Sequence, residues 1–130
     1  MGYALSATVD RPFDETLEGV RSALVDHGFG VLTEIDLAAT LKAKIDVDIE
    51  PHVILGACRP ALAQQAVAAE PSVGLLLPCN VVVRSAGEHR TIVEALDPDV
   101  MVSLTGNEGL AEVAADAGAR LAATLAAVVG

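Results

Sequence analysis

Apolar and polar residues recur along this chain in two periods, and each change of period marks an element. Tyr3 to Val9 alternates loosely in steps of two, the pattern of a strand with one buried face. Pro12 then stands where a helix can begin, because the first helical turn does not use the N–H that proline lacks. Phe13, Leu17, Val20 and Leu24 follow in three- and four-residue steps, which puts one carbon stripe on a helix, and Gly28 after His27 offers a left-handed stop. Phe29 to Ile35 predicts a second strand. Asp36 is placed to cap a short helix that would bury Leu37, Leu41 and Ile45, and Asp46 to Pro51 reads as the loop that leaves it.

The second half of the chain follows the same rules. His52 to Ala57 predicts a third strand that runs into Cys58-Arg59-Pro60, with Pro60 in the first turn of a helix ending near Glu70-Pro71. Val73 to Leu77 and Val81 to Arg84 are two apolar β runs separated by Pro78, which cannot donate to a ladder and so marks a bulge, a bend or an edge. Gly87, Glu88, His89 and Arg90 form a polar turn, and Thr91, Val93 and Ala95 predict the last strand. Asp97-Pro98 opens a short helical turn to Leu104. Asn107 is placed to cap a final helix whose Leu110, Val113, Ala117, Leu121, Leu125 and Val128 form a stripe long enough to lie across a sheet.

This order predicts an α+β fold: a two-layer sandwich with a largely antiparallel sheet of about five strands and helices on one face. At 130 residues the chain is sized for a single domain spanning residues 1–130. A sheet with helices on one face leaves its other face open. The simplest cover is a second copy of the chain, so a homodimer is expected.

Composition narrows the partners. Apolar residues make up 52% of the chain and aromatic residues 2%, so the core must be built from Ala, Val, Leu and Ile, with Tyr3, Phe13 and Phe29 the only rings. Base stacking and aromatic cages both need more rings than that. A net charge of −10 repels phosphate backbones and anionic lipid, which argues against nucleic acid and against a membrane surface. No run reaches the roughly 18 apolar residues of a membrane span, and the pattern of the first residues leads us to expect no signal peptide. A cytoplasmic location is therefore expected, where the two cysteines stay thiols unless they form a redox pair.

Two stretches, Ile54-Leu-Gly-Ala-Cys-Arg-Pro60 with Leu62-Ala63 behind it, and Gly74-Leu-Leu-Leu-Pro-Cys-Asn-Val-Val-Val83, resemble the family known as domain of unknown function 302. Gly28 to Asp36, Lys42, Ala95-Leu-Asp-Pro98 and Ser103-Leu-Thr-Gly-Asn107 extend the resemblance over nearly the whole chain. The resemblance implies a two-layer domain in the order β-α-β4-α, like one half of a TATA-binding protein. It does not imply DNA binding, because the open face of such a sheet needs Phe wedges and basic residues that this chain lacks. Nor does it bring an established reaction, a cofactor or a substrate.

Candidate chemistry gathers at the two motifs. Cys58 stands at the start of a predicted helix, where free backbone N–H groups and the helix dipole would favour a thiolate. Cys79 follows Pro78 and precedes Asn80, whose amide could hold a ligand or satisfy an interrupted ladder. A buried, purely structural role is the plain alternative for each thiol. Two thiols on neighbouring strands could form a disulfide, carry sulfur or bind copper(I) or zinc, but their 21-residue spacing fits neither a zinc ribbon nor a thioredoxin motif. Of the histidines, only His52 falls near the junction; His27 belongs to a helix end and His89 to a solvated turn. Asp36 and Asp97 serve as caps or turn residues rather than an acid/base pair, Lys42 suits a surface salt bridge, and the glycines form no phosphate-binding signature.

Three readings follow from these residues. The first is a homodimeric module binding a small ligand or soft metal at Gly56, Cys58, Pro78, Cys79 and Asn80. The second is a thiol enzyme or sulfur carrier using Cys58 or Cys79. The third is an assembly domain whose cysteines are buried. Binding ranks first, because Gly, Pro, Cys and Asn at two strand ends exceed what a core requires while no base stands beside either thiol in sequence. No enzyme class and no cofactor is assigned.

Overall fold

A computed structural model describes residues 2–130. Five strands, β1 (Ala4–Val9), β2 (Gly30–Asp36), β3 (His52–Cys58), β4 (Cys79–Ser85) and β5 (Thr91–Leu96), form one sheet in the order β1-β5-β4-β3-β2, with every neighbour antiparallel. Helices α1 (Phe13–Asp26) and α5 (Ala111–Val129) lie together on one face. The shorter helices α2 (Leu37–Ile45), α3 (Pro60–Ala69) and α4 (Asp99–Thr105) are insertions in the β-α-β4-α order that the sequence predicts.

Periodicity explains the covered face. Val53, Leu55 and Ala57 of β3, Cys79, Val81 and Val83 of β4, and Val93 and Ala95 of β5 alternate inward, where they meet Leu17, Val20 and Leu24 of α1 and Leu121, Leu125 and Val128 of α5. Burying a side chain of this size from water stabilises the fold by about 1.5–3 kcal/mol. A second, smaller core lies beside the first. There Leu62 and Ala66 of α3, Val73, Met101 of α4, Leu110, and Val113 and Ala117 of α5 pack together. The long α5 contributes to both cores, so it joins them.

Helix ends match their residues. Gly28 takes a φ of +89° behind α1, and the Asp36 carboxylate accepts the Ala39 N–H at 2.9 Å at the start of α2. Asn107 accepts from the Gly109 N–H at 2.8 Å, so it caps the 3₁₀ turn Glu108–Leu110 that runs straight into α5. Its amide also donates to the Ala69 carbonyl and to Glu70, which ties the end of α3 to that turn.

Two expectations are corrected. Val73 to Leu77 is not a strand: Pro71–Leu76 forms a 3₁₀ helix that buries Val73, and β4 begins only at Cys79. Pro71 at the first position and Pro78 behind the run both lack the N–H that a ladder needs, and Gly74 between them favours a turn. Nor does α2 bury a stripe. Leu37 and Leu41 are half-buried and Ile45 is 63% exposed, because α2 sits at the connected ends of β2 and β3 and buries none of its residues against them. Strand β2 is itself exposed along its whole length and is pinned from below by Arg21 of α1, whose guanidinium donates to both Glu34 oxygens at 2.7 Å.

Candidate functional site

The antiparallel register decides where the two motifs go. Ala57 pairs with Cys79 and Gly56 with Asn80, and facing residues in a ladder point to the same side. Ala57 and Cys79 therefore turn toward the helices, whereas Gly56 and Asn80 turn to the open face. Cys58 ends β3 one residue ahead of Arg59, the cap of α3, and is half-buried.

Cys58 and Cys79 both border one cavity of about 20 Å³ at the seam between the two cores. Phe29, Leu62 and Val113 supply carbon walls, Met101 a third sulfur, and Arg59 the sole charged side chain of the lining. A space of this size exceeds the roughly 10–15 Å³ that a water needs, but the lining offers a water few hydrogen-bonding partners. Burial pushes the Cys79 thiol up from its usual 9.0 to about 11, and the neighbouring Cys58 adds to the shift. Cys79 is thus a neutral thiol at physiological pH. Neither cysteine is in a disulfide.

The remaining motif residues do other work. A Cβ at Gly56 would lie 2.6 Å from Pro78 Cγ and collide with the Thr33 hydroxyl, so this glycine exists to let Thr33 and Pro78 pack over the sheet. Asn80 is exposed and borders a shallow depression of about 410 Å³ shared with Tyr3, Val82, Arg84, Glu94 and Leu96. Across that depression Arg84 Nε donates to Glu94 Oε1 at 2.9 Å. The five candidate residues are thus divided: Cys58 and Cys79 share the internal cavity, while Gly56, Pro78 and Asn80 belong to the open side.

Other candidates keep plain roles. His27 Nδ1 lies 2.7 Å from the Ala23 carbonyl at the end of α1, and His89 is exposed in the turn before β5. Lys42 pairs with Asp46 at 2.7 Å and with Asp48 at 3.4 Å on the surface. His52 lies at the far end of β3 from Cys58. Among the described residues no three His, Cys, Asp or Glu side chains gather as a metal site. Sequence reasoning missed Met101 and Arg59 as cavity residues. Met101 carried one faint signal, since the chain has only two methionines and the other is Met1.

An all-antiparallel sheet under two long helices, with a thiol-lined cavity at a core seam, defines a small α+β sandwich. The chain belongs to the family described as domain of unknown function DUF302, whose model matches residues 5–128. It is similar to an uncharacterized conserved DUF302 protein from Bacillus stearothermophilus, with 31% identity over 98% of each chain and a TM-score of 0.88. No curated protein matches it.

Proposed function

We propose that this domain is a homodimeric binding module that holds a soft metal ion or a small soft ligand in the Cys58–Cys79 cavity. The observation that carries this is the meeting of both cysteines at one apolar space at the junction of two cores. A core has no need of two thiols beside a void, because a larger aliphatic side chain would fill it. Thiol catalysis has less support, since the raised Cys79 is a poor nucleophile and no titratable base shares the cavity lining.

The second copy is supported by the open face. Ile54, Val82, Ile92 and Leu96 lie there half-buried around the Arg84–Glu94 pair, with Ile35 45% exposed beside them on β2. An acid and a base within one apolar patch can cross-pair with the same groups of a two-fold-related copy.

Mass-resolved alkylation of freshly purified protein, with elemental analysis of the same sample, tests the site. Stoichiometric metal or bound ligand that protects both cysteines and is released on alkylation supports it. Two metal-free, ligand-free thiols that no soft ligand protects would return them to the core. Light scattering tests assembly, with twice the chain mass expected.

A further inference from the structure

Resting on the binding reading above, we propose that the cavity is a copper(I) site whose ligands are the thiolates of Cys58 and Cys79 and the thioether of Met101. These residues come from β3, β4 and α4, yet all three border one space of about 20 Å³. Met101 is 1% exposed, Cys79 6% exposed and Cys58 half-buried, so the cavity has two interior donors and one at its rim. The rim donor gives an incoming ion its first contact.

The donor set selects the metal. Thiolate and thioether sulfurs are soft and suit copper(I), whose filled d shell is satisfied by two or three of them. Zinc requires a fourth ligand in a tetrahedron, and His27, His52 and His89 lie outside the cavity lining. Calcium and magnesium require oxygen donors that this lining does not hold. Two thiolates around a monovalent ion carry one net negative charge, which is costly among carbon walls unless a cation stands near. Arg59 is that cation, and it is held in the lining as the cap of α3.

Loading is a ligand exchange without redox change. Copper stays in the +1 state as its two bonds to the thiolates of a small thiol carrier break. Two protein thiols lose their protons, two copper–thiolate bonds and one copper–thioether bond form, and the carrier thiolates take up the released protons. The same chemistry distinguishes Met101 from an ordinary gap-filling methionine: Leu would fill the space equally well but could not coordinate.

The test is anaerobic titration of the whole reduced protein with copper(I), against bathocuproine disulfonate as a coloured competitor, followed by X-ray absorption of the loaded sample. One copper per chain, a first shell of sulfur alone, and loss of that stoichiometry in Cys58→Ser and Cys79→Ala support the site. Met101→Leu keeps the volume and the fold, checked by circular dichroism, and is expected to weaken retention at least about tenfold, while Met101→Ile serves as a second volume-conserving control. Nitrogen or oxygen scatterers in the first shell, or unchanged retention in both Met101 variants, would overturn the ligand set. Complete loss of copper to the competitor, while cadmium or a thiol-directed ligand still protects both cysteines, would sink copper(I) and leave the binding reading standing. Failure of every soft probe to protect them would sink both.

Discussion

The two faces of the sheet are made from the same strands, often from adjacent residues, yet they differ in almost everything that follows. Leu55 is fully buried between the sheet and the helices, while its neighbours Ile54 and Gly56 belong to the opposite side. The covered face is closed by α1 and α5 and carries Cys79 into the interior; the open face carries Asn80 outward one residue later. Strand alternation alone thus separates two motif residues that look like one site in sequence. Within this chain, closeness in sequence is a poor guide to shared chemistry wherever the chain is extended.

The largest expected effect tests that contrast directly. Leu55→Ala should cost about 2–5 kcal/mol in urea unfolding, whereas Ile54→Ala should cost the isolated chain under about 1 kcal/mol and chiefly weaken self-association. Equal costs for the two would erase the distinction between the faces. Gly56→Ala comes next, at about 1–3 kcal/mol, because the new methyl group must displace the rigid Pro78 ring. A neutral Gly56→Ala would mean that the open side near Pro78 is looser than the geometry shows.

Cys79 gives a pH-dependent effect on the covered side. Its folded pKa of about 11 lies above its usual 9.0, so between these values the unfolded chain releases a proton that the folded chain retains. Stability from this group is intact below about pH 9 and falls as pH rises toward 11, by roughly 2 kcal/mol. The wild-type protein should lose more stability across that window than Cys79→Ala, and parallel pH profiles would show the thiol to be well solvated. Arg84→Ala is the smallest change. Breaking a half-exposed pair with Glu94 should cost well under about 1 kcal/mol in the monomer, but should make the proposed dimerisation less sensitive to salt. An unchanged salt response would remove the pair from the proposed interface.

Most of the fold was legible because its cues are local. The stripe Phe13, Leu17, Val20 and Leu24, the stop at Gly28, the cap at Asp36 and the turn at Gly87 each act within a few residues. The Val73–Leu77 run was not, since Val-Gly-Leu-Leu-Leu suits a buried strand or a buried turn equally, and only the absence of a pairing partner decides. Ile45 misled for a related reason: an apolar stripe on a helix records a wish for cover, and whether α2 receives any depends on what the rest of the chain packs against it. At the site, Cys58 and Cys79 could be singled out by residue type. Gly56 resembled a position of ligand approach but is required by Thr33 and Pro78, and Met101 reaches the thiols through tertiary packing that no local pattern encodes.

The division of the interior into two clusters also has a consequence for motion. The smaller cluster, which α3, α4 and the turn at Val73 build with the first half of α5, is expected to lose its packing before the hydrogen-bonded ladder of β3, β4 and β5 does. Such a subglobal opening costs less than global unfolding. Backbone amides of α3 and α4 should therefore exchange with deuterium sooner than those of β3 and β4. Each opening would bring Met101 and Cys79 briefly within reach of solvent, making the seam between the cores a breathing joint rather than a sealed wall.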